Sequence, residues 1–578
     1  MIKQVIRLVA YVVCVCLIAA TTAAQNYHQY VNPLIGSEGD GNVFVGPSCP
    51  YGMIKPGPDN AKSANSGYSA DMAKPIYGFS QTHVSGTGGG PKYGNISVMP
   101  FAGDDDNIQQ ESLRSNEKVL AGYYSVLLNK YNVQTEITTA SRAAYYRFVF
   151  GNHNNKKIKI DAGSFFGENS VPNAREAQQF VGSEIEIVSD REVRGYSKIR
   201  GGWNNGAAYT VYFHAVFNHA FSKYKTWKAD QLTTAAIQYD EGKKTGAILC
   251  FDDVISDSIE MKIGISFISC LKAKQNINNQ INHWNFNQTL QETQSKWNDL
   301  LKRIDIDAGA SLEQKKMFYT ALYHTMLMPV DRTNENPLWE NGTPYYDDFY
   351  AIWDTYRSSN PLITLVNESR EVDIINALLQ IYQRDGYMPD ARSGNSNGRT
   401  QGGSNAEVLI ADAYVKKLKG INYYLALEAM LKDATIAPGG NEEKEGRGGL
   451  SDYNSLGYVS NNFVRAGNRT LEYAYDDYCL STVAKGLGRM GEYRRFLNQA
   501  NNWQNLWRSI EDNGSKGFIM PKDASGKWID SIQCDVSNGR ATYIKYTPLA
   551  QDWPICVCWW CGFFYEASSW EYSLSVPH

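Results

Sequence analysis

Two hydrophobic rhythms divide this chain. From Tyr30 to about Cys270 apolar and polar positions alternate in short runs, as at 123–128, 133–138, 145–150 and 208–216. β-Branched and aromatic residues fill these runs and Gly, Asn and Lys punctuate them, so each reads as a strand. Several such strands without intervening amphipathic helices predict packed antiparallel sheets, a β-sandwich.

The period then lengthens to that of a helix. Residues 276–303 carry Trp and Leu at helical spacing among Asn, Gln and Lys, and read as a linker helix. Helices are expected next at 315–328, 371–384, 406–418, 423–434, 473–487 and 492–507. Between them lie longer loops rich in Gly, Asn, Asp and aromatic residues. Helical hairpins with polar, aromatic loops at one end predict an α/α toroid whose loops converge on a pocket. The expected organisation is a leader at 1–24, a β-sandwich domain at 25–270, a helical linker at 271–306 and an α/α domain at 307–578.

One stretch does not fit either rhythm. Tyr345-Tyr346-Asp347-Asp348-Phe349-Tyr350-Ala351-Ile352-Trp353-Asp354-Thr355-Tyr356-Arg357 holds too many acids and aromatics for a plain surface loop and too many charges for a core helix. Such a mixture suits a polyol: an indole face covers the C–H face of a sugar ring while carboxylate and guanidinium take its hydroxyls. A buried Trp beside a local Asp354–Arg357 ion pair is the other reading. Two Gly-rich loops, 36–42 and 78–90, lack the Lys-Ser/Thr of a phosphate loop and are candidates for the rim of a site shared with the helical half.

Composition narrows the function. Of 578 residues, 43% are hydrophobic and 20% charged, and the net charge is −4, which excludes the basic stripe of a nucleic-acid binder. The 38 Tyr, 21 Phe and 13 Trp suit carbohydrate surfaces and β-sheets alike. Lys3 and Arg7, the apolar run 8–20 and Thr22-Ala23-Ala24 read as an export signal, too short to span a bilayer. No later stretch is apolar enough to span a membrane, so a soluble periplasmic or secreted protein is expected. Cys556, Cys558 and Cys561 do not specify a metal site, because no second ligand pair accompanies them.

Seven segments in order resemble glycoside hydrolase family 92. They are Val31-Asn32-Pro33-Leu34-Ile35-Gly36, Pro50-Tyr51-Gly52-Met53, the run from Tyr77 to Gly88, and Phe318-Tyr319-Thr320-Ala321-Leu322-Tyr323-His324. Ile352-Trp353-Asp354-Thr355-Tyr356-Arg357, Ile410-Ala411-Asp412-Ala413-Tyr414 and Leu471-Glu472-Tyr473-Ala474-Tyr475-Asp476-Asp477 complete the set. The resemblance implies an exported, Ca2+-dependent exo-α-mannosidase that inverts the anomeric centre. It implies an N-terminal antiparallel β-sandwich followed by an (α/α)6 barrel, with mannose-containing glycans as partners. By motif match Trp353, Asp354 and Arg399 resemble the residues that bind the terminal mannose. Glu566 resembles the general acid, with Glu571 as its rival.

The chain departs from the family pattern after Val576-Pro577-His578, where the family continues into segments carrying the catalytic base and much of the calcium site. Inversion needs two carboxyls, one to protonate the leaving oxygen and one to activate water on the opposite face. The barrel is therefore expected to be incomplete at its C-terminus, with the base beyond His578 and hydrolysis impaired. A catalytically silent glycan-binding protein with a partial mannose pocket is the alternative.

Overall fold

The computed structural model describes residues 26–39, 41–151, 155–168, 176–339, 342–398, 402–439, 444–512, 515–529, 534–535 and 542–544. Its first half is two antiparallel sheets. One has seven strands, in the order Gly57–Asp59, Gly78–Ser80, Ser97–Ala102, Lys156–Asp161, Thr245–Cys250, Lys223–Lys228, Gln231–Thr233. The other has nine, in the order Ile237–Asp240, Gln178–Ile187, Glu192–Gly201, Gly206–Phe217, Ser258–Ser266, Ala143–Val149, Val133–Thr139, Tyr123–Leu128, Arg114–Leu120.

Register explains why the sheets face each other. Val119, Tyr124, Ile137, Tyr146, Met261 and Phe217 lie in one row across six strands, and all six are core residues. Phe79, Val98, Ile160 and Ala247 form a matching row on the smaller sheet and join the same core. Side chains alternate faces along a strand, so a slip of one residue would turn a whole row to solvent. The alternation read from the sequence is this requirement.

Strands give way to helices after Ser266. α1 (Cys270–Gln280) starts at Ser269, whose hydroxyl accepts from Lys272 N, and α2 (Phe286–Leu301) starts at Asn285, which accepts from Gln288 N. One continuous helix over 276–303 was the expectation; there are two. Ile281 is buried and anchors the break, and Asn285 caps the second helix rather than continuing the first. α3 (Leu312–His324) opens with a reciprocal capping box of Ser311 and Gln314. Trp297 and Leu301 of α2 pack with Tyr319, Leu322 and Tyr323 of α3 and with Val31 and Tyr51, tying the two halves together.

The remaining helices are α4 (Ile352–Thr355), α5 (Ser359–Val366), α6 (Glu368–Asp385), α7 (Ala406–Val415), α8 (Tyr423–Thr435), α9 (Leu450–Leu456), α10 (Ala466–Gly486) and α11 (Met490–Gln499). α6, α7, α8 and α10 share one core, in which Ile374, Leu378, Ile410, Leu427, Leu480 and Val483 are buried. α6 stops at Gly386, whose φ of 100° a side chain would resist. The helix expected over 492–507 ends instead at Gln499. Asn501 and Asn502 are poor helix formers, and Asn501 Nδ2 donates to the Leu497 carbonyl. The chain then tightens into a 3-10 turn at Asn502–Leu506 and a strand at Trp507–Asp512. Among the described residues no helix is long and apolar enough to cross a membrane.

Candidate functional site

The aromatic and acidic stretch is a fastening between the two halves. Tyr346–Asp347 pairs with Val330–Asp331, which brings Arg332 to Asp347. Both side chains are buried; Arg332 donates to Asp347 Oδ2 at 2.6 Å, and the same oxygen accepts from Asn395 N at 2.7 Å. The Arg332 guanidinium also lies 3.2 Å from the ring centre of Phe267, at the end of the last sandwich strand. An ion pair out of water needs such supplementary bonds to offset its lost hydration.

Asp348 extends the fastening. Its Oδ1 accepts from Tyr93 OH of the sandwich at 2.8 Å and from Ser393 Oγ of the helical half at 2.7 Å. Its backbone takes a left-handed φ of 62° to do so, uncommon for a residue with a side chain. Burial, and then the neighbouring Asp347 charge, push its carboxyl up to about 6. Ser393 belongs to a small hairpin, Arg392–Ser393 with Ser396–Asn397, held by Arg392 donating to Asp385 and Asn397 at 2.6 Å each.

These anchors fix α4. Ile352 N donates to Asp390 O at 3.0 Å, and Arg392 N to Phe349 O at 2.5 Å. Trp353 is buried and packs into the sandwich-side core together with Tyr350, while Asp354, next in sequence, is only half-buried. The Tyr350 ring lies 4.5 Å from that of Trp203, a sandwich residue on the turn Gly201–Gly206. Asn204 of that turn donates to the Ser393 and Ser396 carbonyls at 2.9 and 3.1 Å. A Cβ on Gly398 would collide with the Trp203 ring, and one on Gly89 would sit 3.0 Å from Trp203 Cβ. Asn65 Nδ2 holds the Gly-rich loop in place through the Thr87, Gly88 and Gly89 carbonyls at 2.9, 2.6 and 3.2 Å. Loop 86–90 therefore lies beside Trp203.

On the other side α4 meets α10. Arg357 donates to Glu472 Oε1 at 2.7 Å, and Tyr356 OH and Asn405 Nδ2 donate to Oε2 at 3.2 and 3.0 Å. Beyond Glu472 lies an acidic cluster centred on Arg447. Arg447 reaches both Glu407 oxygens at 3.1 Å and Asp477 Oδ1 at 2.7 Å. Asp476 accepts from Ser404 N at 3.0 Å, and burial pushes its carboxyl up to about 7 although Arg447 pulls the other way. Glu407 and Asp433 are raised well above the carboxylate range, burial being the first cause. Both oxygens of Asp433 lack a hydrogen-bond partner, which fits a protonated acid and not an anion.

A calcium site requires six to eight oxygen ligands arranged around one point. Among the described residues no group of three or more His, Cys, Asp or Glu side chains could hold a metal ion. The acids of the Arg447 cluster are spent on that arginine, on hydroxyls and on amides. The described residues do not fit the cation.

Of the residues singled out in the sequence, Trp353 and Asp354 stand together at the junction of the halves. Arg399 and Glu566 lie outside the described residues, as does Glu571. The described neighbours of Arg399 are informative: Gly398 abuts Trp203, and a Cβ on Gly402 would come 3.1 Å from Glu472 Cγ. Trp203, Tyr93, Asp348 and Glu472 were not singled out as site residues. Trp203 could have been, since an indole set in Gly201-Gly202-Trp203-Asn204-Asn205-Gly206 is a large aromatic in a turn. Nothing in the sequence pairs Asp348 with Tyr93.

Comparison with known proteins gives one family across nearly the whole chain. Residues 30–266 match the glycosyl hydrolase family 92 N-terminal domain, and residues 272–578 match the glycosyl hydrolase family 92 catalytic domain. An uncharacterized secreted glycosidase of Arthroderma benhamiae is 29% identical over 95% of this chain and 70% of its own length. A family 92 α-mannosidase of Bacteroides thetaiotaomicron, solved with mannoimidazole, superposes with a TM-score of 0.78 at 27% identity, over 88% of this chain and 67% of that one. A family 92 inverting mannosidase of the same organism gives a TM-score of 0.78 at 27% identity, over 88% and 68%.

Proposed function

Since the chain belongs to glycosyl hydrolase family 92, we propose that it removes terminal α-linked mannose from glycans outside the cytoplasm. The observation that carries this reading is the meeting of both halves beside Trp353 and Asp354, where Trp353 and Tyr350 join the sandwich core and Trp203, Gly89 and Gly398 crowd next to Tyr350. Two solved relatives that are named mannosidases, one holding mannoimidazole, support the sugar. The relative named as a secreted glycosidase supports export, and with it the reading of residues 1–24 as a signal.

In this reading Trp353 covers the apolar face of the terminal mannose, Asp354 accepts from its hydroxyls, and Arg399 approaches from the segment between Gly398 and Gly402. Glu566 is the general acid, protonating the leaving oxygen, while water attacks the opposite face with inversion and gives its proton to a second carboxylate, to which no residue is assigned. The domains are a β-sandwich at 25–270, a helical linker at 271–306 and an (α/α)6 barrel at 307–578. The boundary between the two matched domains, between 266 and 272, supports the first division. Ca2+ dependence belongs to the proposal on the family resemblance alone, with no ligand assigned and no step drawn through it.

The test is release of mannose from aryl α-mannosides and α-mannobioses, with the anomer of the first-formed mannose read by proton NMR. β-Mannose as first product is expected. Binding of mannosides without turnover would favour a glycan-binding role instead, and neither binding nor turnover would overturn the proposal.

A further inference from the structure

Lys92 is a fully buried cation to which the sugar chemistry above gives no part. Its Nζ donates to the Gly201 carbonyl at 2.7 Å and to Asn204 Oδ1 at 3.0 Å, and lies 5.0 Å from the centre of the Tyr209 ring. An ammonium has three N–H bonds and no acceptor, and here they meet two oxygens and one π face. An amine has two N–H bonds, so it would leave one of the three partners opposite a lone pair. The surroundings are shaped for the charged form, yet they hold it narrowly. Burial pushes Lys92 down to about 7, with Lys444 acting in the same direction and Asp347 and Asp348 in the opposite one. Tyr209 stays neutral throughout, because burial pushes its hydroxyl well above the usual range.

What the charge holds is the turn at 201–206. Asn204 Oδ1 accepts from Lys92 and, at 3.2 Å, from Gly206 N, so the amide nitrogen of Asn204 is turned toward the helical half. There it donates to the Ser393 and Ser396 carbonyls of the small hairpin. The tip of that hairpin rests on the lysine itself: a Cβ on Gly394 would come 3.2 Å from Lys92 Cε and 3.0 Å from the Tyr209 ring. The hairpin in turn grips the stretch ahead of Trp353 and Asp354. Asn395 N donates to Asp347, Ser393 Oγ to Asp348 and Arg392 N to the Phe349 carbonyl. We infer that Lys92 is a positioning residue for catalysis: its ammonium, through Asn204, steadies the 392–397 hairpin and with it the segment leading to Trp353 and Asp354, and loss of the proton loosens that hold. The inference rests on the glycosidase reading above, and it gives Lys92 no contact with the sugar.

Steady-state kinetics of the full chain on aryl α-mannoside, from pH 6 to pH 9 and below the melting temperature of every variant, test it. At pH 6 Lys92→Met should lose about ten- to a hundredfold in kcat, the scale on which small misplacements are felt, with KM little changed. That deficit should largely disappear by pH 9, where the wild type has itself shed the proton. Taking the ratio of the two proteins at each pH cancels the titrations they share, such as that of a general acid. Asn204→Ala should show the same pH-dependent deficit, and the double variant should lose little more than the worse single one, as for two links in one chain. Asn204→Ala leaves every charge in place and carries the test if Lys92→Met does not fold. A deficit equal at pH 6 and pH 9, an unchanged kcat, a rise in KM alone or additive losses would overturn the inference alone. Wild type without turnover would overturn the proposed hydrolysis, and this inference with it.

Discussion

Arg357 and Glu472, 115 positions apart, meet at 2.7 Å and join the end of α4 to α10. The pair converts an apparently local motif into a tertiary one. The guanidinium, on which the Asp354 charge three residues earlier also acts, pairs with Glu472, the carboxylate that also accepts from Tyr356 and Asn405.

Glu472 is the hub of that contact and Arg357 only one spoke, because the Arg357 side chain is 40% exposed and that of Glu472 13%. Arg357→Ala should therefore cost at most about 1 kcal/mol of stability, as for other exposed ion pairs. Glu472→Ala strands three donors and should cost about 2–4 kcal/mol. Urea unfolding of both variants decides this; equal losses would remove Glu472 from its central place.

The Arg332–Asp347 pair is a different case, since both partners are buried. Arg332→Met should destabilise by about 3–5 kcal/mol by taking from Asp347 its 2.6 Å partner and leaving only Arg392, at 4.0 Å, as an ion-pair partner, and Arg332→Met with Asp347→Leu should recover part of the loss. Chemical denaturation of the single and double variants measures the coupling. Additive losses would show that the two side chains act independently.

Glu371 makes stability depend on pH. It is buried in α6 with Asn360 Nδ2 at 3.1 and 3.3 Å from its two oxygens, and burial pushes its carboxyl up to about 8. The folded protein therefore holds a proton that the unfolded chain releases near pH 4. Stability from this group is complete below that pH and is lost as pH rises through 8, at up to about 1.4 kcal/mol per pH unit. Glu371→Gln lacks this loss, so its stability relative to wild type should grow between pH 5 and 8. Parallel stability curves for the two proteins would refute the assignment.

Asp354→Asn and Trp353→Ala should leave the melting temperature within a few degrees for the first and lower it for the second, because only Trp353 is packed into the core. Both should lose activity on aryl α-mannoside, Asp354→Asn by roughly 10- to 100-fold in kcat/KM, the scale of a hydrogen bond to a charged group. Wild-type turnover by Asp354→Asn would exclude that carboxylate from the sugar site.

Turnover should fall on treatment with EDTA and return with added Ca2+, while the urea midpoint of the described sandwich core, followed by a probe such as Trp227, stays unchanged. Full activity in chelator would remove the cation from the proposed function.

How much could be read in advance depended on distance along the chain. Strands at 123–128 and 133–139 follow from alternation, and α6 and α8 from their apolar stripes, because each is decided by neighbours a few residues away. The break at Ile281 and the stop at Gln499 depend on caps and a buried anchor, which a periodicity hides. Trp353 and Asp354 were legible as a motif. Their setting was not: Tyr93 lies 255 positions from Asp348, and Asn204 lies 189 from Ser393. No local pattern selects such partners from among 38 tyrosines.

The polar fastening has a kinetic consequence. Tyr93–Asp348, Arg332–Phe267 and Asn204–Ser393 are joined by Glu335, which accepts from Ser266 and Phe267 N of the sandwich at 2.6 and 3.0 Å and from Asn276 of α1 at 3.0 Å. Opening the halves like jaws would break all of these at once and expose buried charge. Relative motion of the two halves is therefore opposed by all of these contacts together. Domain swings, which take microseconds to milliseconds, would have to undo this whole set of contacts, whereas exposed loops relax without touching it.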